Sequence, residues 1–345
     1  MKIAQIAPSF GLPGGPEIVC SHLTEALVES GADVTLFAPG DWKTSAKHVV
    51  TIPESLWNMS EFRQQTEIER RNLNLENLFR IVRDRDAFDI IHIHSQRYAA
   101  SVCATVGKPC VVTLHNKIAA RDFRQLQGVG AVPVAISGGR ARGLDSVGIP
   151  VIRNGIPISG IKPSFANGDG LICIGRITEP KGIHTAIDIA RAAGKRLHIY
   201  GRVGNAPGRL DYFEKRILPH IGDDILFHEQ VQQDELLDAI RNAEALLSPI
   251  VGGLLTVPLV VMEALACGTP VIGTSINDPA LFRDAGRIGV YSDDYDELVA
   301  AARNTSVFDR TDCRMFAERN FDSRLMAEKY LELYADVLGQ TQENA

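Results

Sequence analysis

The sequence predicts an α/β protein of two domains, each an open parallel sheet covered by helices. Three observations carry this. The chain has 345 residues, more than one hydrophobic core ordinarily organises. Short apolar runs alternate with amphipathic helical stretches from end to end, the pattern of parallel strands buried on both faces. That rhythm breaks once, over 153–170, in a run of Asn154-Gly155, Pro157, Gly160, Pro163 and Asn167-Gly168-Asp169-Gly170. Such punctuation marks a linker between domains.

In the first half, strands are expected at 3–7, 34–38, 90–94, 110–114 and 133–136, with 150–152 closing it. Between them, 16–30 and 64–85 have helical spacing. After the linker come strand 171–174, helix 183–193, strand 196–200 and a helix within 210–219. Strand 225–228, helix 234–242, strand 245–247, helix 259–266 and strand 270–273 follow, and 312–338 again has helical spacing. Two open parallel sheets receive ligands at strand carboxyl ends, so a cleft between the domains is the expected site.

Composition excludes several classes. Residues 1–160 carry a net charge of about +2 and the remainder about −8, giving the total of −6. Neither half is basic enough to bind nucleic acid through its phosphates. The six cysteines (Cys20, Cys103, Cys110, Cys173, Cys267, Cys313) are scattered without a CxxC pair, so buried free thiols and a reducing, cytoplasmic setting are expected. The first ten residues are too short and too soon broken by proline for a signal peptide. The apolar run 254–272 contains Pro258, Glu263, Gly268 and Pro270, and reads as a buried helix followed by a strand rather than a membrane span.

Three places carry chemistry. The loop Phe10-Gly11-Leu12-Pro13-Gly14-Gly15-Pro16-Glu17 joins the first strand to the first helix. Gly14 and Gly15 let the backbone approach a ligand, Pro16 suits a first helical turn, and the amides at that helix start attract anions. The spacing departs from GxGxxG, which argues against a dinucleotide-dependent oxidoreductase. The second place is Gly175-Arg176-Ile177-Thr178-Glu179-Pro180-Lys181-Gly182, again between strand and helix. The Arg176 guanidinium and the Lys181 ammonium could together hold a diphosphate and stabilise it as it leaves, without a metal. The third is Glu263, the single charge in a long apolar stretch. A buried carboxylate needs a partner, either a donor within the protein or the hydroxyls of a ligand.

In this order and spacing, these segments resemble glycosyltransferase family 4, retaining enzymes of the GT-B fold. The resemblance extends to Asp89-Ile90-Ile91-His92-Ile93-His94, Thr113-Leu114-His115-Asn116, Ala135-Ile136-Ser137, Val151-Ile152-Arg153-Asn154-Gly155-Ile156, and the stretch Met262-Glu263-Ala264-Leu265-Ala266-Cys267-Gly268-Thr269-Pro270. It implies two facing Rossmann-like domains with parallel sheets and an interdomain cleft. An acceptor-side domain would span 1–155, a hinge 156–169 and a nucleotide-sugar-binding domain 170–320. A C-terminal helix, 321–345, would pass back toward the first domain.

The resemblance also implies roles. Arg176 and Lys181 would grip the donor diphosphate, Glu263 the ribose hydroxyls, Gly14 and Gly15 the phosphate and acceptor. His115 would meet the donor sugar, and Arg202, Val231 and Leu259 would complete the donor site. His92 and His94 read as structural. By the same resemblance the donor would be a nucleotide diphosphate-sugar, UDP-sugar favoured by family frequency, and the acceptor a small-molecule, glycan or lipid-linked hydroxyl. No cofactor and no metal are expected; Asp84-Arg85-Asp86 has the form of a DxD motif but lies at a helix end.

One departure stands out. The family's first glutamate of the donor-sugar loop is Leu255 here, within Gly252-Gly253-Leu254-Leu255-Thr256. An unusual sugar such as a deoxysugar, a substituting neighbour, or lost catalysis would each account for it. The competing readings are a non-catalytic nucleotide-sugar-binding homologue, and an epimerase or phosphorylase of the same fold. Residues 61–86 mix six arginines with apolar residues, but interleaved acids favour a solvated face. At most, a weak peripheral contact with the cytoplasmic membrane face follows. The sequence sets no oligomeric state.

Overall fold

A computed structural model of the chain describes residues 1–8, 14–56, 58–59, 67–142, 148–166, 168–204, 207–229, 231–251, 256–275, 279–282 and 287–343. The chain divides into two compact units, Met1–Pro157 with Asp322–Ala345, and Ile158–Phe321.

The first unit runs β1 (Lys2–Ile6), α1 (Gly15–Glu29), β2 (Asp33–Ala38), β3 (Lys47–Val50), α2 (Glu67–Asp84), β4 (Ile90–Ile93), α3 (Ala99–Val106), β5 (Cys110–Leu114), α4 (Ala120–Gly128), β6 (Val132–Ala135) and α5 (Gly138–Arg142). All its strands pair in parallel, in the order β3-β2-β1-β4-β5-β6. The central strands are mostly apolar, apart from the buried Gln5, His92 and Thr113, because helices cover the sheet. Ile91, Ile93, Val112 and Leu114 pack with Val102 of α3 and with Phe123 and Leu126 of α4. In α1 the buried side chains Val19, Cys20, Leu23, Ala26 and Leu27 repeat at helical spacing.

The second unit runs β7 (Leu171–Ile174), α6 (Ile183–Ala193), β8 (Leu197–Tyr200), α7 (Pro207–Arg216), β9 (Ile225–His228), α8 (Gln233–Asn242), β10 (Ala245–Ser248), α9 (Leu259–Ala266), β11 (Val271–Gly273), α10 (Pro279–Phe282), β12 (Gly289–Tyr291), α11 (Tyr295–Arg303) and α12 (Arg310–Phe321). Its parallel sheet has the order β12-β11-β10-β7-β8-β9. Counted from the first strand of each unit, both sheets have the doubly wound order 3-2-1-4-5-6. The order reverses between β1 and β4, and between β7 and β10. Ligands enter such sheets outside the strand carboxyl ends at that reversal, and the two glycine-containing loops follow β1 and β7.

The expected strand 150–152 is a single bridge between Ala135 and Val151, made by the Ala135 N–H to the Pro150 carbonyl and the Ile152 N–H to the Ala135 carbonyl; Pro150 has no N–H with which to extend the ladder. The helical stretch 312–338 is two helices, α12 and α13 (Ser323–Glu343), divided at Asp322. Asp322 bridges Ile156, and the Ser323 N–H donates to the Ile156 carbonyl at 2.9 Å. Helix α13 belongs to the first unit and packs along α1, burying Met326, Ala327, Tyr330 and Tyr334. The edge strands β3 and β12 and the helices α3, α4 and α11 were not expected from periodicity. Strand β12 is three residues long, and α3 (Ala-Ala-Ser-Val-Cys-Ala-Thr-Val) has too little polar contrast to show a face.

Residues 158–166 are tied to the second unit. Ile158 and Ile161 are buried, the Ser164 N–H donates to the Cys267 carbonyl, and Arg314 donates to the carbonyls of Ile158 and Ile161. All six cysteines are free and buried. Among the described residues no helix is long and apolar enough to cross a membrane; the apolar run 254–272 holds α9 and then β11.

Candidate active site

At the end of β7 the chain keeps contact with β8 for one more turn. The Gly175 N–H donates to the Tyr200 carbonyl at 3.0 Å, and the Ile177 N–H to the Arg202 carbonyl at 3.1 Å. Ile177 is fully buried and Arg176 is exposed, so the apolar neighbour anchors the loop while the guanidinium points outward. A 3-10 turn, Glu179–Lys181, follows. Gly182 then takes φ 67°, and a Cβ there would lie 1.8 Å from the Pro249 carbonyl oxygen. Only glycine combines that left-handed backbone with so close an approach to the exit of β10. The loop is pinned from that side by the Val251 N–H, which donates to the Pro180 carbonyl at 3.0 Å.

Arg176 and Lys181 line one pocket of about 570 Å³ together with Thr178, Arg209, Tyr212 and Ile250. Among the described residues neither Arg176 nor Lys181 makes an ion pair. Lys181 is half-buried, and burial, then the neighbouring Arg176 charge, holds its ammonium below the usual lysine range. Arg176, Lys181 and Arg209 stand against the single carboxylate of Glu179 in the lining, which leaves a net positive charge that an anionic ligand would neutralise. The Tyr212 hydroxyl lies 2.8 Å from His184 Nδ1 and accepts the His184 backbone N–H at 3.3 Å, which fixes the ring in the pocket wall.

Arg202, Val231, Leu259 and Glu263 belong to the same unit but lie outside that lining. Leu259 opens α9 and Glu263 sits one turn later. Glu263 is half-buried, and its Oε1 accepts from Gln233 Nε2 at 2.8 Å. Burial raises its carboxyl above the ordinary range, while the Gln233 hydrogen bond pulls it back. Val231 stands just before α8, whose first residue is Gln233, so the β9–α8 turn and α9 meet at this carboxylate. Leu255 and the residues beside it, and Phe10 to Pro13 of the first loop, lie outside the described residues.

The remaining expected site residues belong to the first unit. Gly14 caps α1 with extended backbone, Gly15 and Pro16 form its first turn, and no side chain caps it. The Glu17 side chain folds beneath that turn: a Cβ on Gly14 would lie 2.0 Å from Glu17 Oε2. Glu17 is 5% exposed, and burial raises its carboxyl to about 7. His115 follows β5, is buried, and places Nε2 3.0 Å from Nδ1 of His94. Asp84 and Asp86 flank the turn after α2 and pair separately with Arg83 and Lys108. Sequence reasoning missed Arg209, Tyr212 and Gln233; each stands at ordinary helical spacing, and only its neighbours in space single it out.

Two doubly wound parallel units, with a cationic pocket after the first strand of the second, define a GT-B glycosyltransferase. Residues 13–159 match the family model Glycosyltransferase Family 4, and residues 168–306 match Glycosyl transferases group 1. The chain belongs to this glycosyltransferase family. A phosphatidyl-myo-inositol mannosyltransferase of Mycobacterium leprae is 27% identical over 98% of this chain and 97% of that protein. One from Mycolicibacterium smegmatis is 27% identical over 87% of this chain and 83% of that protein. Anabaena HepE, solved with UDP and glucose, superposes with a TM-score of 0.73 at 18% identity, over 97% of this chain and all of that one. A sucrose-phosphate synthase from Thermosynechococcus elongatus superposes at 0.76 and 16% identity, over 99% of this chain and 100% of that one. These two likenesses are of fold.

Proposed function

We propose that this glycosyltransferase moves a sugar, with retention at the anomeric carbon, from a nucleotide diphosphate-sugar to an acceptor hydroxyl. The observation that carries the proposal is that Arg176 and Lys181 share one pocket of net positive lining and that, among the described residues, neither makes an ion pair. The bond from the anomeric carbon to the diphosphate breaks as the bond to the acceptor oxygen forms on the same face, and the acceptor proton leaves with the diphosphate. Charge on the departing group grows as the bond opens. Two fixed cations stabilise that state more than the ground state, which is the work a metal would otherwise do. Positioning of the acceptor supplies the rest.

Glu263 accepts hydrogen bonds from the ribose, Arg202, Val231 and Leu259 stand on the nucleoside side, and Gly14, Gly15 and His115 serve the phosphate, acceptor and donor sugar. A UDP-sugar is the favoured donor, supported by the UDP and glucose held by the Anabaena relative. A lipid-linked or glycan hydroxyl is the favoured acceptor, supported by the mannosyltransferases named for phosphatidyl-myo-inositol. Such an acceptor places the enzyme at the cytoplasmic membrane face by weak peripheral contact.

Calorimetric titration of UDP, GDP and ADP into wild type and the Arg176→Ala/Lys181→Ala variant tests the donor site. One nucleotide should bind, at least tenfold more weakly in the variant. Equal binding by both proteins would place the phosphate site elsewhere. Binding without turnover of UDP-glucose over a broad set of polyol and lipid acceptors would favour a non-catalytic homologue.

A further inference from the structure

Arg209, the third cation in the lining of the Arg176–Lys181 pocket, is placed there by two contacts of α7. The exit of β8 is pressed against the Arg176 loop, where a Cβ on Gly201 would lie 2.0 Å from the Gly175 carbonyl oxygen. Further along the same exit, a Cβ on Gly204 would lie 2.8 Å from Arg209 Cδ and 2.9 Å from Arg209 Nη1. The arginine stem thus runs back across the loop that leaves β8, over ground that any side chain at 204 would occupy. Tyr212 shares the face of α7 that carries Arg209, one turn on. Its hydroxyl is hydrogen-bonded to His184 at the start of α6, which fastens that face beside the turn bearing Lys181.

The nearby acids do not claim Arg209. Asp211, on the same helix, pairs with Lys215 at 3.0 Å. Among the described residues Arg209 makes no hydrogen bond and no ion pair. Three cations in the lining face one acid, Glu179, and without Arg209 the positive surplus would be halved. A diphosphate esterified to a sugar carries two negative charges, matched in number by Arg176 and Lys181. When the bond from the anomeric carbon to the bridging oxygen breaks, its electron pair stays on that oxygen. The diphosphate then moves toward a third charge until the acceptor proton reaches it. Glu179 opposes that charge, and Arg209 is the cation in the lining that offsets it.

We propose that Arg209 is a third diphosphate-binding cation of the donor site, one that favours the departing nucleoside diphosphate over the intact nucleotide-sugar. The inference rests on the reading of Arg176 and Lys181 as the diphosphate site. An exposed guanidinium with no partner meets the growing charge without first breaking a contact. Its interaction is therefore spent on the state in which the sugar is leaving. Gly204 is the positioning residue, since its missing side chain leaves the arginine its path into the pocket.

Calorimetric titration of UDP, GDP and ADP into the full chain, each beside its sugar ester (UDP-glucose, GDP-mannose, ADP-glucose), tests this. For the nucleotide that binds wild type, Arg209→Gln should weaken the free diphosphate about tenfold and its sugar ester no more than about twofold. Arg209→Lys should recover part of the loss, because the charge remains while the planar fork is gone. Gly204→Ala should reproduce the same split with Tm unchanged. Its backbone lies outside the left-handed region, and the atoms its Cβ meets end a flexible side chain. Equal loss of both ligands in Arg209→Gln would overturn the preference for the departing group, and unchanged binding of both would remove Arg209 from the site. Binding lost in Arg176→Ala/Lys181→Ala but intact in Arg209→Gln would refute this inference alone. Binding intact in both variants, or no nucleotide bound by wild type, would refute the diphosphate site on which it rests. If Arg209→Gln fails to fold, Gly204→Ala carries the comparison.

Discussion

Gln233 Nε2 donates to Glu263 Oε1 at 2.8 Å, joining the first residue of α8 to the middle of α9. The hydrogen bond engages one oxygen of a carboxylate that burial would otherwise push toward its neutral form. It keeps the group an acceptor at the mouth of α9, where a ribose is proposed to lie.

Replacing Glu263 by Gln should therefore weaken binding of the cognate nucleoside diphosphate about tenfold, since hydrogen bonds to a charged acceptor contribute about 1.5–3 kcal/mol. Inorganic diphosphate, which has no ribose, should bind wild type and variant alike. Calorimetry with both ligands checks this; a parallel loss would show that Glu263 supports the diphosphate end instead.

Gly182→Ala should destabilise the second unit and loosen the Lys181 turn. The left-handed backbone alone costs an alanine about 1–2 kcal/mol, and its Cβ would also displace the Pro249 carbonyl. A fall in Tm of at least about 5 °C, with several-fold weaker UDP binding, is expected from thermal shift and titration. Unchanged values would mean that the turn yields without moving Lys181.

Glu17 makes stability depend on pH. Its folded value of about 7 lies above the ordinary 4.5, so its contribution is fully present below about pH 4.5 and is lost as the pH rises through about 7. The rise corresponds to roughly 3 kcal/mol. Glu17→Gln stays neutral throughout and should melt several degrees above wild type at pH 8, with little difference at pH 4.5. Parallel melting curves at both pH values would show that the carboxyl ionises freely beneath Gly14.

Arg310 is 8% exposed and donates to the carbonyls of Ser164, Ala243 and Arg241 and to Thr269 Oγ1. Arg310→Ala leaves several buried acceptors without donors, at about 1–3 kcal/mol each. A Tm roughly 10 °C lower is expected, and Arg310→Lys should recover little of it, because one ammonium cannot span acceptors that a planar fork reaches. Recovery by lysine would mean that charge, rather than the fork, stabilises the site.

Much of this protein was legible in short-range pattern. Apolar runs placed strands such as β5 and β7 at their observed bounds, because burial on both faces leaves a local signature. Strand-turn-helix loops with glycine and two cations marked the segment 175–182, and Arg176 and Lys181 share a pocket. The edge strands β3 and β12 were missed because little of them is buried: β3 has no fully buried residue and β12 is three residues long. The division of 312–338 escaped as well, since what halts the helix at Asp322 is Ile156, far away in the chain.

The sequence by itself determined the alternation of strand and helix, the position of the phosphate-type loops and the family. Those depend on burial periodicity and on backbone freedom, which neighbouring residues dictate. Only the tertiary structure decided that Gln5 meets Tyr334, that Gln233 meets Glu263, and that Arg310 satisfies four separate acceptors. A hydrogen bond needs its partners within about 3 Å, and for residues distant in the chain that proximity is set by sheet order and register.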